Sequence, residues 1–391
     1  MTNNYNFTST SPGLRLLRRM TALLAMVLLL CLTSTQRVSA QFPASSYSFA
    51  FSSGTFTPIS GGTVLGAVGA GWDDGFLGTQ SIGFNFNYMG TIYTTFGISC
   101  NGYIIMGAAS QTNTYCGSQG SNAFQLNAWA TDFIPFSTTS GEVRYQTIGS
   151  APNRQLVCQW KNVRHFGGPT SGDDYTVQLI LNEGSNTIQV VMGPWASATT
   201  QGANTCADSN GESGSIGLKG ATTADFNLRT ITNGTHTWAT SITGATVAAV
   251  CNTSPTNLAT SGQTFTFSPP PPCTTPGDPT SPVAGALTTS SVSGSFTAPG
   301  TPPTGYIVVR YPSGGSVTTP ATGTSYTIGT ALGAGTVIAN GTSTSFTSTG
   351  LIPSTTYDFK IYSYNNTVCS GGPVYSNLAA ISLTTTACAG P

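Results

Sequence analysis

Side chains that can ionise, attack or coordinate are scarce in this chain. Its two histidines, His165 and His236, fall in no H-E-x-x-H pattern and at no i, i+4 spacing. A zinc hydrolase therefore has no ligand set to build on. The 47 glycines form no G-x-S-x-G elbow, no Walker loop and no dinucleotide-binding pattern, and they read as turns and small strand residues. Carboxylates offer more. Asp73-Asp74 and Asp173-Asp174 are adjacent doublets in glycine-containing loops, and glycoside hydrolysis needs two carboxyls across a cleft. Neighbouring residues of a strand point to opposite faces, so one member of each doublet could reach a common site. The ordinary use of such acids is an Asx-turn, and the functional alternative is calcium, whose hard oxygen ligands come from loops. Asp208-Ser-Asn-Gly-Glu212 begins like a calcium loop, but its glycine stands at position four and no acid follows at position twelve. No other cofactor is implied.

The second group of candidates is aromatic. Trp195, in Gly193-Pro-Trp-Ala-Ser, and Trp238, in Asn-Gly-Thr-His-Thr-Trp, stand in loop-like sequence. Exposed indole faces could stack on a neutral sugar, and plain packing beneath a loop is the competing use. Trp160 alternates with Leu156 and Cys158 and reads as core.

The composition points the same way. Only twelve Lys+Arg and twelve Asp+Glu occur in 391 residues, 6% of the chain, against roughly 25% in an ordinary soluble domain. Phosphate neutralisation needs clustered Lys and Arg, so nucleic acid is excluded as a partner. A polytopic membrane protein is excluded as well, because a mean hydropathy of +0.05 accompanies a single short charge-free apolar run. That run, Thr21 to Leu32, follows Arg15, Arg18 and Arg19 and precedes Val38-Ser39-Ala40. Residues 1–40 thus read as a cleaved secretory signal, too short to span a bilayer, with no transmembrane segment after its removal. Its loss takes four of the twelve basic residues and no acidic one, leaving eight against twelve, a net −4. It also takes Cys31 and leaves Cys100, Cys116, Cys158, Cys206, Cys251, Cys273, Cys369 and Cys388. An even count in an exported chain predicts disulfides, and no C-x-x-C argues for metal or redox chemistry. Connectivity is open from spacing alone. The pair put forward is Cys206 with Cys251, both in loop-like stretches.

The elements that must position these residues are strands. Phe84-Asn-Phe-Asn-Tyr88 alternates with period two, Asn101-Gly102 separates two apolar runs, and Tyr175, Val177, Leu179 and Leu181 line one face of another strand. No segment after the signal keeps a helical period. The expected fold is all-β, with two β-sandwich domains. Residues 41–267 form a large antiparallel jelly-roll-like sandwich, 268–276 a proline-rich spacer, 277–386 a smaller sandwich, and 387–391 a tail or the start of a further module. The ending Thr386-Ala-Cys-Ala-Gly-Pro391 resembles Pro271-Pro-Cys-Thr-Thr-Pro276, which opens the smaller sandwich.

Within 277–386, Leu351-Ile-Pro-Ser-Thr-Thr-Tyr357 runs into an alternating strand. This pattern resembles the E-to-F corner of fibronectin type III domains. The resemblance implies that Tyr357 is the corner tyrosine, its hydroxyl bonded to upstream backbone, and that Leu351 is core. Tyr326 to Ile338 is similar to an insertion in fibronectin-like domains of large secreted bacterial proteins. Phe296 stands where the family usually has a tryptophan. More weakly, Tyr47 to Phe51, Trp72 to Gly75 and Asn101-Gly102 resemble the β-rich leading module of such surface proteins. The expected protein is exported, non-enzymatic and modular. It would serve at the cell surface in adhesion, contacting neutral polysaccharide or a cell-surface protein. The alternatives are accessory modules of a secreted hydrolase whose catalytic domain lies outside this chain, and an outer-membrane barrel, against which the cysteines and the proline spacer argue.

Overall fold

The computed structural model describes residues 42–67, 74–111, 122–135, 141–165, 174–196, 213–232, 234–252, 256–367 and 369–388. The signal segment 1–40, Asp73, Asp173, Asp208, Cys116 and Cys206 lie outside them. The described residues hold strands and one 3-10 turn, Ala44–Ser46, and no helix among them is long and apolar enough to cross a membrane.

In chain order the N-terminal strands begin with β1 (Ser48–Ser53), β2 (Thr63–Ala67), β3 (Phe76–Tyr88), β4 (Thr91–Ser99), β5 (Tyr103–Met106) and β6 (Gln125–Ala130). There follow β7 (Phe133–Pro135), β8 (Glu142–Ile148), β9 (Gln155–His165), β10 (Asp174–Asn182) and β11 (Ile188–Ala196). The set ends with β12 (Ser213–Lys219), β13 (Phe226–Thr230), β14 (Ile242–Thr243), β15 (Cys251–Asn252) and β16 (Gln263–Ser268). One sheet runs β1-β16-β11-β10-β9-β8-β2, with β7 on β9, and the other β14-β13-β12-β6-β5-β4-β3, with β15 on β12. Each contains a run of four consecutive strands, β8 to β11 and β3 to β6. Local hairpins thus build much of each sheet of the all-β sandwich expected from the sequence.

Turn chemistry explains the hairpins. Met89 and Gly90 both have positive φ, 54° and 83°, in a two-residue turn that pairs Tyr88 with Thr91, the twist that joins antiparallel strands without splaying them. Asn101-Gly102 also makes a hairpin, but with a three-residue loop that includes Cys100, since Ser99 pairs with Tyr103. Gly102 is required at φ 78°. A Cβ there would lie 2.0 Å from the Trp129 carbonyl.

Alternation then decides the core. Leu156, Cys158 and Trp160 of β9, Val177, Leu179 and Leu181 of β10, and Phe265 and Phe267 of β16 are all buried and pack with Phe86, Phe96 and Ile98 of the other sheet. The two sheets are tied across this layer. The Trp160 indole donates to Ser99 O at 2.8 Å, and Phe96 meets Tyr145 edge-on at 5.2 Å between centroids.

The C-terminal strands are β17 (Thr280–Leu287), β18 (Ser291–Thr297), β19 (Gly305–Pro312), β20 (Ala331–Leu332) and β21 (Gly335–Gly341), then β22 (Ser345–Thr349), β23 (Thr356–Asn365), β24 (Val374–Tyr375) and β25 (Ala379–Thr384). A three-stranded sheet, β17-β18-β22, accompanies a six-stranded one, β20-β21-β19-β23-β24 with β25 on β23. Their shared core includes Phe296, Val308, Phe359 and Leu351. The corner expected from the fibronectin likeness is present, because the Ile352 amide donates to the Tyr357 hydroxyl at 3.1 Å. A second cluster holds Ile307, Val309, Tyr311, Tyr326, Leu332 and Tyr362, so the Tyr326 to Ile338 stretch contributes to a core of its own.

Cysteine pairing differs from the expectation. Cys273 of the spacer bridges to Cys369, whereas Cys251 is a free thiol, as are Cys158 and Cys388. The proposed Cys206–Cys251 pair is therefore not formed. Cys251 is fully buried and its Sγ donates to Arg229 O at 3.4 Å; its loop-like sequence is a short strand, β15, packed into the sandwich. Burial raises the thiol pKa, which keeps it protonated and inert.

Candidate binding face

Trp195 and Trp238 come together in the structure, but not as an open platform. Trp129 of β6 meets Trp195 at 4.9 Å and Trp238 at 5.6 Å, and Trp195 meets Trp238 edge-on at 5.3 Å. Such edge-to-face packing is favoured by ring quadrupoles. Trp238 is only 2% exposed and donates its indole N–H to Asn257 O, while Trp195 is half-buried and donates to Thr176 O. Of the two uses the sequence leaves open for them, packing is the one seen, and open stacking faces are not formed. Gly193-Pro194, loop-like in sequence, lies inside β11, and Trp195 pairs in register with Tyr175. Beside this nest His165 accepts from the Trp129 indole at 3.3 Å. Burial lowers its pKa from 6.5 to about 3, so it is neutral.

Of the candidate carboxylates, Asp74 and Asp174 are among the described residues. Asp74 accepts from Asn101 Nδ2 at 2.9 Å, and Asn101, itself buried, uses its Oδ1 on the Phe133 amide at 2.8 Å. This is the loop-fixing role. Burial raises the pKa of Asp174, partly opposed by Lys161. Among the described residues no group of three His, Cys, Asp or Glu could hold a metal ion.

The arrangement that sequence reasoning missed lies on the outer face of the sheet containing β8 to β11. There a segment between β1 and β2 crosses the strands and is held by polar side chains. Gln159 of β9 accepts from the Ile59 amide at 3.0 Å and donates to Ile59 O at 3.2 Å. Gln178 of β10 donates to Thr57 O at 2.9 Å, and Arg144 of β8 donates to Ser60 O and Gly61 O at 2.5 and 3.0 Å. The three are cross-strand neighbours, Arg144 opposite Gln159 and Gln159 opposite Gln178. Arg144 is neutralised by Glu142 at 2.5 Å.

Toward the other end of the same strands stands a second set of the same kind. Gln155 of β9 donates to Asn182 of β10 at 2.7 Å, Asn182 to Gln189 of β11 at 3.2 Å, and Gln189 to Thr266 of β16 at 3.4 Å. Arg154 flanks the ladder and forks onto Glu183, with Nε and Nη2 on the two carboxylate oxygens at 2.8 and 2.5 Å. That fork lowers the Glu183 pKa to about 2. Together with Asn153, Ser185 and Thr187, these residues other than Thr266 line an open cleft of about 470 Å³. Its lining offers amides, hydroxyls and one self-neutralised ion pair.

The family model for NIDO-related sequences matches residues 46–269, more than half of the chain. That for the fibronectin type III domain matches residues 277–371. No match was found among curated proteins. Among solved structures, the fourth fibronectin type III domain of a human protein is 18% identical, with 30% of this chain and 86% of that one covered and a TM-score of 0.22. A two-domain fibronectin type III segment of chicken tenascin is 16% identical over 62% of this chain and 97% of that one, with a TM-score of 0.21. The FN1–FN3 domains of chicken CNTN1 are 12% identical over 66% and 78%, with a TM-score of 0.25. Overlaps at these scores carry no structural argument. The matched modules are non-catalytic types, and an extracellular-type modular architecture accords with them and with the Cys273–Cys369 bridge. The chain belongs to the NIDO-related family, and a fibronectin type III domain follows its family module.

Proposed function

We propose that this chain is an exported, non-enzymatic, modular surface protein that acts in adhesion through uncharged contacts. The observation that carries the reading is the cleft just described, whose polar lining is made of amides and hydroxyls and whose ion pair, Arg154 with Glu183, is satisfied within itself. Such a lining offers directional hydrogen bonding with no net field, so it favours a neutral partner over an ionic one. Sugar stacking on Trp195 and Trp238 is not part of this proposal, since their rings are spent on one another.

The test is direct. Intact cells expressing a tagged chain should expose it to antibody and to added protease, and deleting the gene should reduce attachment of the cells to their substratum. Protection of the tag in intact cells, or unchanged attachment after deletion, would overturn the reading.

A further inference from the structure

The outer face carries two sets of the same side chains, and the occupied one shows what they bind. In the first, Arg144, Gln159 and Gln178 hold an extended, uncharged piece of main chain, Gly54-Thr-Phe-Thr-Pro-Ile-Ser-Gly61. The contacts are to backbone. Gln159 makes a two-pronged pair with Ile59, giving an N–H and taking one, as a neighbouring strand would. Buried backbone groups must be paired, and here the side chains of a sheet face supply the partners of a segment crossing its strands.

The second set shares with the first a row of carboxamides on successive strands, Gln155, Asn182 and Gln189. Its ion pair, Arg154 with Glu183, stands at the rim of the sandwich instead of on a neighbouring strand, and Arg154 also donates to Gly83 O and lies over the Phe84 ring of the other sheet. The two rows differ in cover. Gln159 and Gln178 are buried under the crossing segment, while Gln155, Asn182 and Gln189 are half-buried and line the open cleft. After its bond to Asn182, Gln155 retains one N–H and its oxygen, the same pair of functions that Gln159 spends on Ile59. The ladder Gln155–Asn182–Gln189–Thr266 holds these amides in place in advance, which lowers the ordering cost of a ligand.

We propose that this cleft binds an extended, uncharged segment of a partner polypeptide, rich in hydroxyl side chains and proline, by the backbone contacts that the Thr57 to Gly61 segment makes at the first set. The inference rests on the adhesive reading above and supplies its partner class. A charged segment is disfavoured because Arg154 and Glu183 satisfy each other. A neutral oligosaccharide is the rival occupant.

The probe is the capped peptide copying residues 54–61, added to the isotopically labelled full chain while the side-chain amide resonances of Gln155, Asn182 and Gln189 are followed. Saturable shifts at these amides are expected. The Asn182→Ala, Gln189→Ala double variant should bind the peptide roughly ten-fold more weakly, the loss of two ordinary hydrogen bonds. Gln155→Glu, isosteric and less prone to disturb folding, should weaken it as well. Absence of saturable shifts with the wild-type chain, or equal affinity in both variants, would overturn the proposal. So would saturation of the same amides by cellohexaose and not by the peptide, which would assign the cleft to sugars. Surface exposure and attachment are scored separately, so the cleft can fail while the adhesive reading stands, or the reverse.

Discussion

His165 shows how a residue that looks chemical can be committed to structure. It accepts from the Trp129 indole and packs against Phe133 and Tyr175 at 5.7 and 5.1 Å between centroids. Accepting the indole N–H requires the neutral ring. Its pKa falls to about 3 on folding against 6.5 outside. The unfolded chain therefore binds a proton through a window in which the native one does not, and stability is complete above pH 6.5 and declines toward pH 3 as the medium is acidified. The expected slope from this one group is about 1.4 kcal/mol per pH unit. Between about pH 6.5 and pH 4.5 it is separable from Glu183, which starts to titrate only near its ordinary value of 4.5. Urea midpoints at the two ends of that interval should differ in the wild type and converge in His165→Gln, which keeps an acceptor without a basic site. Equal pH dependence in the two proteins would refute the assignment.

At the scale of elements, the spacer is anchored where its sequence alone reads as a free extended run. Cys273 is bridged to Cys369 across 96 residues, its amide bonds to Ser370 O at 2.8 Å, and Ser370 returns a bond to Pro271 O at 2.8 Å. Closing a loop of that length restricts the unfolded chain and is worth about 2–5 kcal/mol. Reduction should lower the denaturant midpoint of the fibronectin type III domain by a corresponding amount, and an unchanged midpoint would show that packing alone holds the spacer. Alkylation of the native protein should label Cys388 and spare Cys158 and Cys251 until unfolding, because only the first is exposed. Edge protection also follows from the elements. The outer strand β17 leaves Val283 exposed at 56% and Leu287 at 39% with no charge to guard them, and Pro282 and the two register shifts of the strand break the edge instead.

For the molecule as a whole, charge scarcity becomes a statement about forces. The ion pairs among the described residues are Arg144 with Glu142 and Arg154 with Glu183, each between residues on or beside the strands β8 to β10. Stability and adhesive binding should both be nearly indifferent to salt between about 0.05 and 0.5 M, a range over which screening changes several-fold. A steep fall in binding with salt would mean that ionic contacts carry it. The same scarcity explains why hydroxyls and amides dominate the exposed sheet faces, where other proteins place Lys and Glu.

Much of this was written locally. Period-two alternation named the buried faces of β3, β9 and β10, because successive side chains of a strand must face opposite ways. Leu351-Ile-Pro-Ser-Thr-Thr-Tyr357 named its corner, because that hydrogen bond spans only five residues. The burial of Trp195, Trp238 and Cys251 was not legible locally for one common reason. Gly, Pro, Asn and Thr mark loops by local preference, while burial is conferred by strands brought from far along the chain. The paired polar sets on the outer face were invisible for the same cause. Gln155, Asn182 and Gln189 are unremarkable polar residues of separate strands until register places them side by side. Fold class and the scarcity of charge were thus determined by the sequence itself, since they depend on composition and on neighbours within a few residues. Which aromatics are buried, which cysteines pair and which amides share a cleft were decided only by tertiary structure, since each depends on the register between strands.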